Sequence, residues 1–284
     1  MPLLRPPAAA AEAFRRDGYT VLPGFLDRIE LGCVRAEVDA LLAGPLPTSC
    51  VRPHNVLAPL RWNHSIVARV LGDERRIRRL AKAVDAEDLR WISGYISVKE
   101  PRSAPLAWHQ DWWCWDHPVT YRPGAAQVAV LCYVTDTDAA NGALRVLPGS
   151  HHRSTTLHAA LPEPHAHAVG GFDQDHAALR DQAGQVTLAV RAGNAVIADY
   201  RLLHGTHPNT TARRRACVLL SFTPAWTQLP GEIRAHLIQH SAVPTDRERP
   251  AADSRLDRLL PRFDRPPRDL PLNRLAPSAF AVQP

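Results

Sequence analysis

The sequence predicts a mainly β fold with flanking helices, a sandwich or barrel of antiparallel strands braced on one face by helices. Two observations carry this. Over the first 85 or so positions apolar residues recur at helical spacing. From Leu89 onward they fall into short runs rich in Ile, Val, Tyr and Trp, punctuated by Gly and Pro. Helices followed by a long series of short strands pack stably only as a sheet layer with a helical layer against it.

In chain order, Ala8 to Gly18 reads as a short helix and Tyr19 to Leu22 as a strand closed by Pro23-Gly24. Asp27 is placed to cap the next helix, whose stripe of Ile29, Leu31, Val34, Val38 and Leu41 ends before Gly44 and Pro45. Residues 46–64 read as loop, and Ser65 to Asp85 as two short helices. Strands are expected at Leu89 to Lys99, Gln127 to Thr135, Leu144 to Leu147, Gln185 to Val190, Ala195 to Tyr200 and Arg215 to Thr223. Two stretches break this rhythm. His151 to Gly184 is long, polar and rich in His, which suggests a lid or an insert. The tail after His240 is crowded with Pro and Arg, with too few apolar residues for a core of its own. One catalytic domain is expected over 1–284, its core spanning about 12–240 and its tail 241–284.

Composition narrows the function. The chain has 284 residues, 45% hydrophobic and 22% charged, enough to bury one large core, and no window approaches the roughly 18 apolar residues needed to span a bilayer. Met1 to Ala11 carries one Arg and a Pro-Pro break, so no signal peptide is expected and the cytoplasm is the default location. Cys33, Cys50, Cys114, Cys132 and Cys217 form no C-x-x-C pair, which argues against a disulfide framework and a thiolate zinc site. The net charge of +6 comes from dispersed Arg without a basic stripe, so neither a nucleic-acid nor a membrane partner is expected.

The chemistry lies in Trp108-His109-Gln110-Asp111-Trp112-Trp113, where a strand should end. In extended backbone His109 and Asp111 share a face while Gln110 points away, so both can reach one metal ion. His204, closing the run from Asn194, is the candidate third ligand. Two His and one carboxylate on one face of an ion leave the opposite face open, which suits an iron(II) that must hold a chelating co-substrate and dioxygen. Arg215 follows eleven residues after His204, at the head of the apolar run Ala216 to Phe222. An Arg pointing into a core needs an anion, and the far carboxylate of 2-oxoglutarate would match its fork. Arg213 and Arg214 compete for this role, and Arg213 shares the alternation of Arg215.

These residues resemble those of the phytanoyl-CoA dioxygenase family. Trp108 to Asp111 is similar to its W/L-H-Q-D segment, and Asn141 to His151 to its N-G-x-L-x-V-L-P-G-S-H segment. Gly193, His204-Gly205-Thr206, Asn209 and Arg215 follow its third motif, and Phe14 to Tyr19 with Leu22 to Leu26 resemble its opening. The resemblance implies a double-stranded β-helix (jelly-roll, cupin-like) core, iron held by His109, Asp111 and His204, and 2-oxoglutarate held by Arg215 with the Thr206 hydroxyl. It also offers Tyr95 as a further co-substrate contact. Because Asp111 is present, hydroxylation is expected and not halogenation, since related halogenases carry a small residue there. Desaturation, epimerisation and oxidative cyclisation begin identically, and a non-catalytic cupin-like metal protein is the alternative from another class. A small-molecule substrate is expected, with specialised-metabolite tailoring favoured over fatty acyl-CoA because no lysine-rich surface awaits CoA phosphates. Of the cluster Trp108, Trp112, Trp113 and Trp115, most are expected in the core, with Trp113 the candidate for the substrate wall.

Overall fold

The structure, a computed structural model, describes residues 7–52, 55–161, 163–164, 176–245, 247–249 and 254–282. Its strands are β1 (Tyr19–Leu22), β2 (Val51–Arg52), β3 (Asn55–Leu60), β4 (Arg90–Lys99), β5 (Leu106–His109), β6 (Val128–Tyr133), β7 (Leu144–Val146), β8 (Val186–Leu188), β9 (Ala195–Asp199), β10 (His204–Thr206) and β11 (Arg215–Thr223). The helices are α1 (Pro7–Asp17), α2 (Arg28–Ala43), α3 (Ser65–Leu71), α4 (Glu74–Ala83), α5 (Gly231–Leu237) and α6 (Ser254–Asp257). The larger sheet runs β1-β9-β6-β11-β4-β3-β2 and the smaller β5-β10-β7-β8, and the strands of both pair antiparallel among the described residues. From β4 to β11 the chain passes repeatedly between the two sheets. This is the winding of a jelly-roll, as the resemblance implied.

Alternation along the strands sorts residues between two environments. On β4, β6 and β11 the residues Ile96, Val98, Val130, Cys132, Val218 and Leu220 join the core beneath the helices. Their neighbours Tyr95, Lys99, Leu131, Tyr133, Arg215 and Leu219 face the other way, into the space between the sheets. Helix α2 starts where expected, because Asp27 and Glu30 form a reciprocal capping box. Its buried line is Val34, Val38 and Leu42. Ile29, which the sequence placed in the stripe, is 78% exposed, since it lies about half a turn around the helix from Val34.

Two departures matter for the site. The segment 46–64, expected as loop, contributes β2 and β3, and β3 pairs with β4 from Val56 to Leu60. Pro59 hides this strand from a pattern reading, yet Pro is tolerated close to a sheet edge. The short strand β10, whose register partners are β5 and β7, was read only as the end of the preceding run. Arg201 and Asp199 break that run. They form a fully buried ion pair at 2.7 Å, and the guanidinium also donates to the carbonyls of Thr120, Arg122 and Gly124. Burial works to raise the Asp199 carboxyl, but Arg201 prevails and holds it below the ordinary value.

Candidate active site

His109 ends β5 and His204 begins β10, and the two are direct register partners. Each ring is aimed by its own backbone. Nδ1 of His109 donates to the Ala107 carbonyl at 2.8 Å, and Nδ1 of His204 to the Leu202 carbonyl at 2.9 Å. A carbonyl can only accept, so Nδ1 carries the proton in both rings and each Nε2 is left with a lone pair for a metal. Asp111, two residues beyond β5, turns its carboxylate between them. Oδ1 lies 3.6 Å from His109 Nε2 and Oδ2 lies 3.5 Å from His204 Nε2. One ligand atom from each of the three falls within 4.8 Å of the others, the only such group among the described residues. Gln110 points away and donates to the Arg201 carbonyl. Gly205 permits the approach of β10 to β5, because a Cβ there would stand 2.8 Å from the Leu106 carbonyl.

The triad opens into a cavity of about 680 Å³ between the sheets. Arg215 lines it and is 3% exposed, whereas Arg213 and Arg214 lie outside, Arg214 pairing with Glu100 at the surface. The Arg215 guanidinium donates to the Gly142 carbonyl at 2.8 Å and lies over the Tyr133 ring, while its buried Nε has no protein partner. That orphaned donor is what an anionic co-substrate would satisfy. Lys99, missed in the sequence reading, stands opposite Arg215 on β4 and lines the same end. Gly142 belongs to this end too. Its φ of +85° suits glycine, and a Cβ would meet the Lys99 stem at 2.8 Å. Thr206 is buried there, its hydroxyl accepting from the Leu106 amide at 3.2 Å.

Tyr95 also lines the cavity, four residues before Lys99, with its hydroxyl 3.1 Å from His240 Nε2. Trp113 lines it as well, donating to Gln127 Oε1 at 2.8 Å and stacking on His236 at 4.7 Å. Trp108, Trp112 and Trp115 are buried in the core. Residues 162 and 165–175 of the His-rich stretch, including His165 and His167, lie outside the described residues. Its described end packs behind the site. Trp108 Nε1 donates to the Arg180 carbonyl and Arg145 to the Leu179 carbonyl, both at 2.8 Å. The tail reaches the cavity through Leu272 and Arg274, and Leu259 and Leu260 enter the main core. No local signal marked the part that His236, His240 and the tail's Arg274 take in the site, since they sit in unrelated, irregular or helical contexts.

This fold and this triad define the class: a non-haem iron, 2-oxoglutarate-dependent dioxygenase. The Phytanoyl-CoA dioxygenase (PhyH) profile matches residues 14–217, and the chain belongs to that family. Among curated proteins it is similar to the ectoine dioxygenase of Nocardia farcinica, 28% identical over 227 residues that cover 74% of this chain and 75% of that one. The ectoine dioxygenase of Streptomyces avermitilis is 26% identical over 231 residues, covering 76% and 78%. Among solved structures, the epimerase SnoN in complex with Fe3+, alpha ketoglutarate and nogalamycin RO aligns with a TM-score of 0.55 and 25% identity, covering 77% of this chain and 84% of that one. HygX from Streptomyces hygroscopicus shares the fold, with a TM-score of 0.56, 20% identity and coverage of 76% and 86%. No helix among the described residues is long and apolar enough to cross a membrane.

Proposed function

We propose that His109, Asp111 and His204 hold iron(II), that Arg215 with Thr206 and Lys99 holds the distal carboxylate of 2-oxoglutarate, and that the enzyme hydroxylates a small organic molecule. The observation that carries this reading is the convergence of the triad and the buried, partly unsatisfied Arg215 on one cavity. Three donors on one face leave room opposite for a chelating keto acid and dioxygen. When bound, iron and 2-oxoglutarate supply the oxidising chemistry, consuming dioxygen and releasing succinate and carbon dioxide.

The chain's own part is positioning and shielding. The paired Nδ1 contacts fix both imidazoles so that metal binding requires no reorientation. Arg215 and Lys99 set the direction of the co-substrate, with Tyr95 the remaining candidate contact farther along β4. Trp113 offers an apolar wall to the substrate, its indole orientation locked by Gln127. Specialised-metabolite tailoring agrees with the likeness to SnoN, from nogalamycin biosynthesis. The test is succinate release by the purified protein given iron(II), 2-oxoglutarate and oxygen, with a chelator as control. Mass spectrometry of the product then separates hydroxylation, which adds one oxygen, from desaturation or cyclisation, which removes two hydrogens, and from epimerisation, which leaves the mass unchanged. Absence of iron-dependent succinate overturns the assignment.

A further inference from the structure

The cavity carries positive charge in two separate places. Lys99 and Arg215 occupy one end. Tyr95 lies four residues along β4 from Lys99, about 13 Å by strand rise. Arg274 and Arg52 line the cavity in that second region, where the charges of both act on the Tyr95 hydroxyl. Arg274 borders the same space as Tyr200, His109, Asp111 and His204, so its side chain is available to a molecule held in front of the triad. We propose that Arg274 is a specificity residue and that the substrate presents a carboxylate to it. This rests on the dioxygenase reading above and names the substrate class for the same site.

Three features support the assignment. First, Arg274 is half-buried and makes no hydrogen bond or ion pair with any described residue. The carboxylates lining the cavity are otherwise engaged or peripheral: Asp111 belongs to the triad, Asp199 is committed to Arg201, and Glu163 is exposed. A guanidinium partly withdrawn from water with no counter-ion favours an anionic ligand.

Second, the backbone beneath Arg274 is built and not a loose end. The Asn273 amide donates to the Trp113 carbonyl at 3.0 Å, its carbonyl accepts from the Trp115 amide at 3.1 Å, and its side chain donates to Asp116 at 2.8 Å. The tail is thereby fastened to the segment that follows Asp111, which fixes Arg274 relative to the metal ligands. Third, the imidazoles nearby add no competing anion or settled cation. Burial, opposed by Asp269 and reinforced by Arg274, holds His236 below its usual value, and burial does the same to His240. A carboxylate at Arg274 would hold the adjoining carbon skeleton in the cavity that Trp113 and the triad also line.

The test uses the iron(II) and 2-oxoglutarate holoenzyme and a panel of small carboxylic acids, each matched with its primary amide. Succinate release without any panel compound, and its dependence on iron, reports on the dioxygenase reading alone. The inference expects acids to stimulate succinate release at least tenfold more effectively than their amides, judged by kcat/KM. Arg274→Gln should abolish that discrimination mainly through KM, Arg274→Lys should recover part of it, and added salt should weaken it. Amides that stimulate as well as the acids, a panel in which no acid stimulates, or an Arg274→Gln enzyme that discriminates like the wild type would each overturn the inference while leaving the dioxygenase assignment standing.

Discussion

Arg215 and Lys99 are cross-strand partners, the first residue of β11 against the last of β4, and both are buried. Burial first, then the charges of Arg215 and Arg145, lower Lys99 from 10.5 to about 7. A bound dianion favours the ammonium form. Binding of 2-oxoglutarate to the iron-loaded enzyme should therefore weaken as pH rises through about 7, by up to about tenfold per pH unit, and Lys99→Met should flatten that dependence. Anaerobic titrations on either side of neutrality measure it, and an equal slope in the variant sinks the role of Lys99. Folding gives an independent readout. Between about 7 and 10.5 the unfolded chain holds a proton on Lys99 that the folded chain lacks, so this group makes stability rise with pH across that window.

His109→Ala, Asp111→Ala and His204→Ala should each lower bound iron and abolish succinate release while leaving the unfolding midpoint near that of the native protein. The three atoms converge from a strand end, a turn and a second strand, so losing any one leaves an incomplete site. Metal analysis beside a denaturant curve decides this. Normal turnover in any variant refutes the ligand set.

Arg215→Ala should raise the 2-oxoglutarate requirement at least tenfold, because a buried bidentate pair is worth several times a surface one. Arg213→Ala and Arg214→Ala should change it less than threefold, since Arg213 is exposed and Arg214 is paired with Glu100 at the surface. Initial rates at varied 2-oxoglutarate provide the comparison. Equal effects at all three positions contradict the placement of Arg215.

Asp199→Asn should destabilise the fold by about 3–5 kcal/mol, because it strands the buried Arg201 without its charge partner. The same turn leads into His204, so bound iron should fall as well. Urea unfolding monitored by tryptophan fluorescence gives the first number and metal analysis the second. A variant as stable as the native chain would mean that the Arg201 contacts to three carbonyls suffice by themselves.

What the sequence determined by itself rested on short-range rules. Apolar runs punctuated by Gly and Pro marked β4, β6, β9 and β11, and extended backbone put His109 and Asp111 on a common side. Asp27 marked the start of α2 because a capping side chain and the amide it accepts from lie within one turn. Co-occurrence of the motifs in order was enough for the family, and with it the cofactors. Pattern reading failed at β3, where Pro59 masks a strand that exists because β4 supplies its partner, and at β10, three residues long and defined by β5 and β7. Tertiary structure alone decided which arginine turns inward, that Lys99 shares its pocket, and that Arg274 of the tail lines the same cavity as His109, Asp111 and His204. Those facts depend on contacts between residues far apart in the chain, such as Asn273 with Trp113, and local spacing holds no record of which distant segments a fold will bring together.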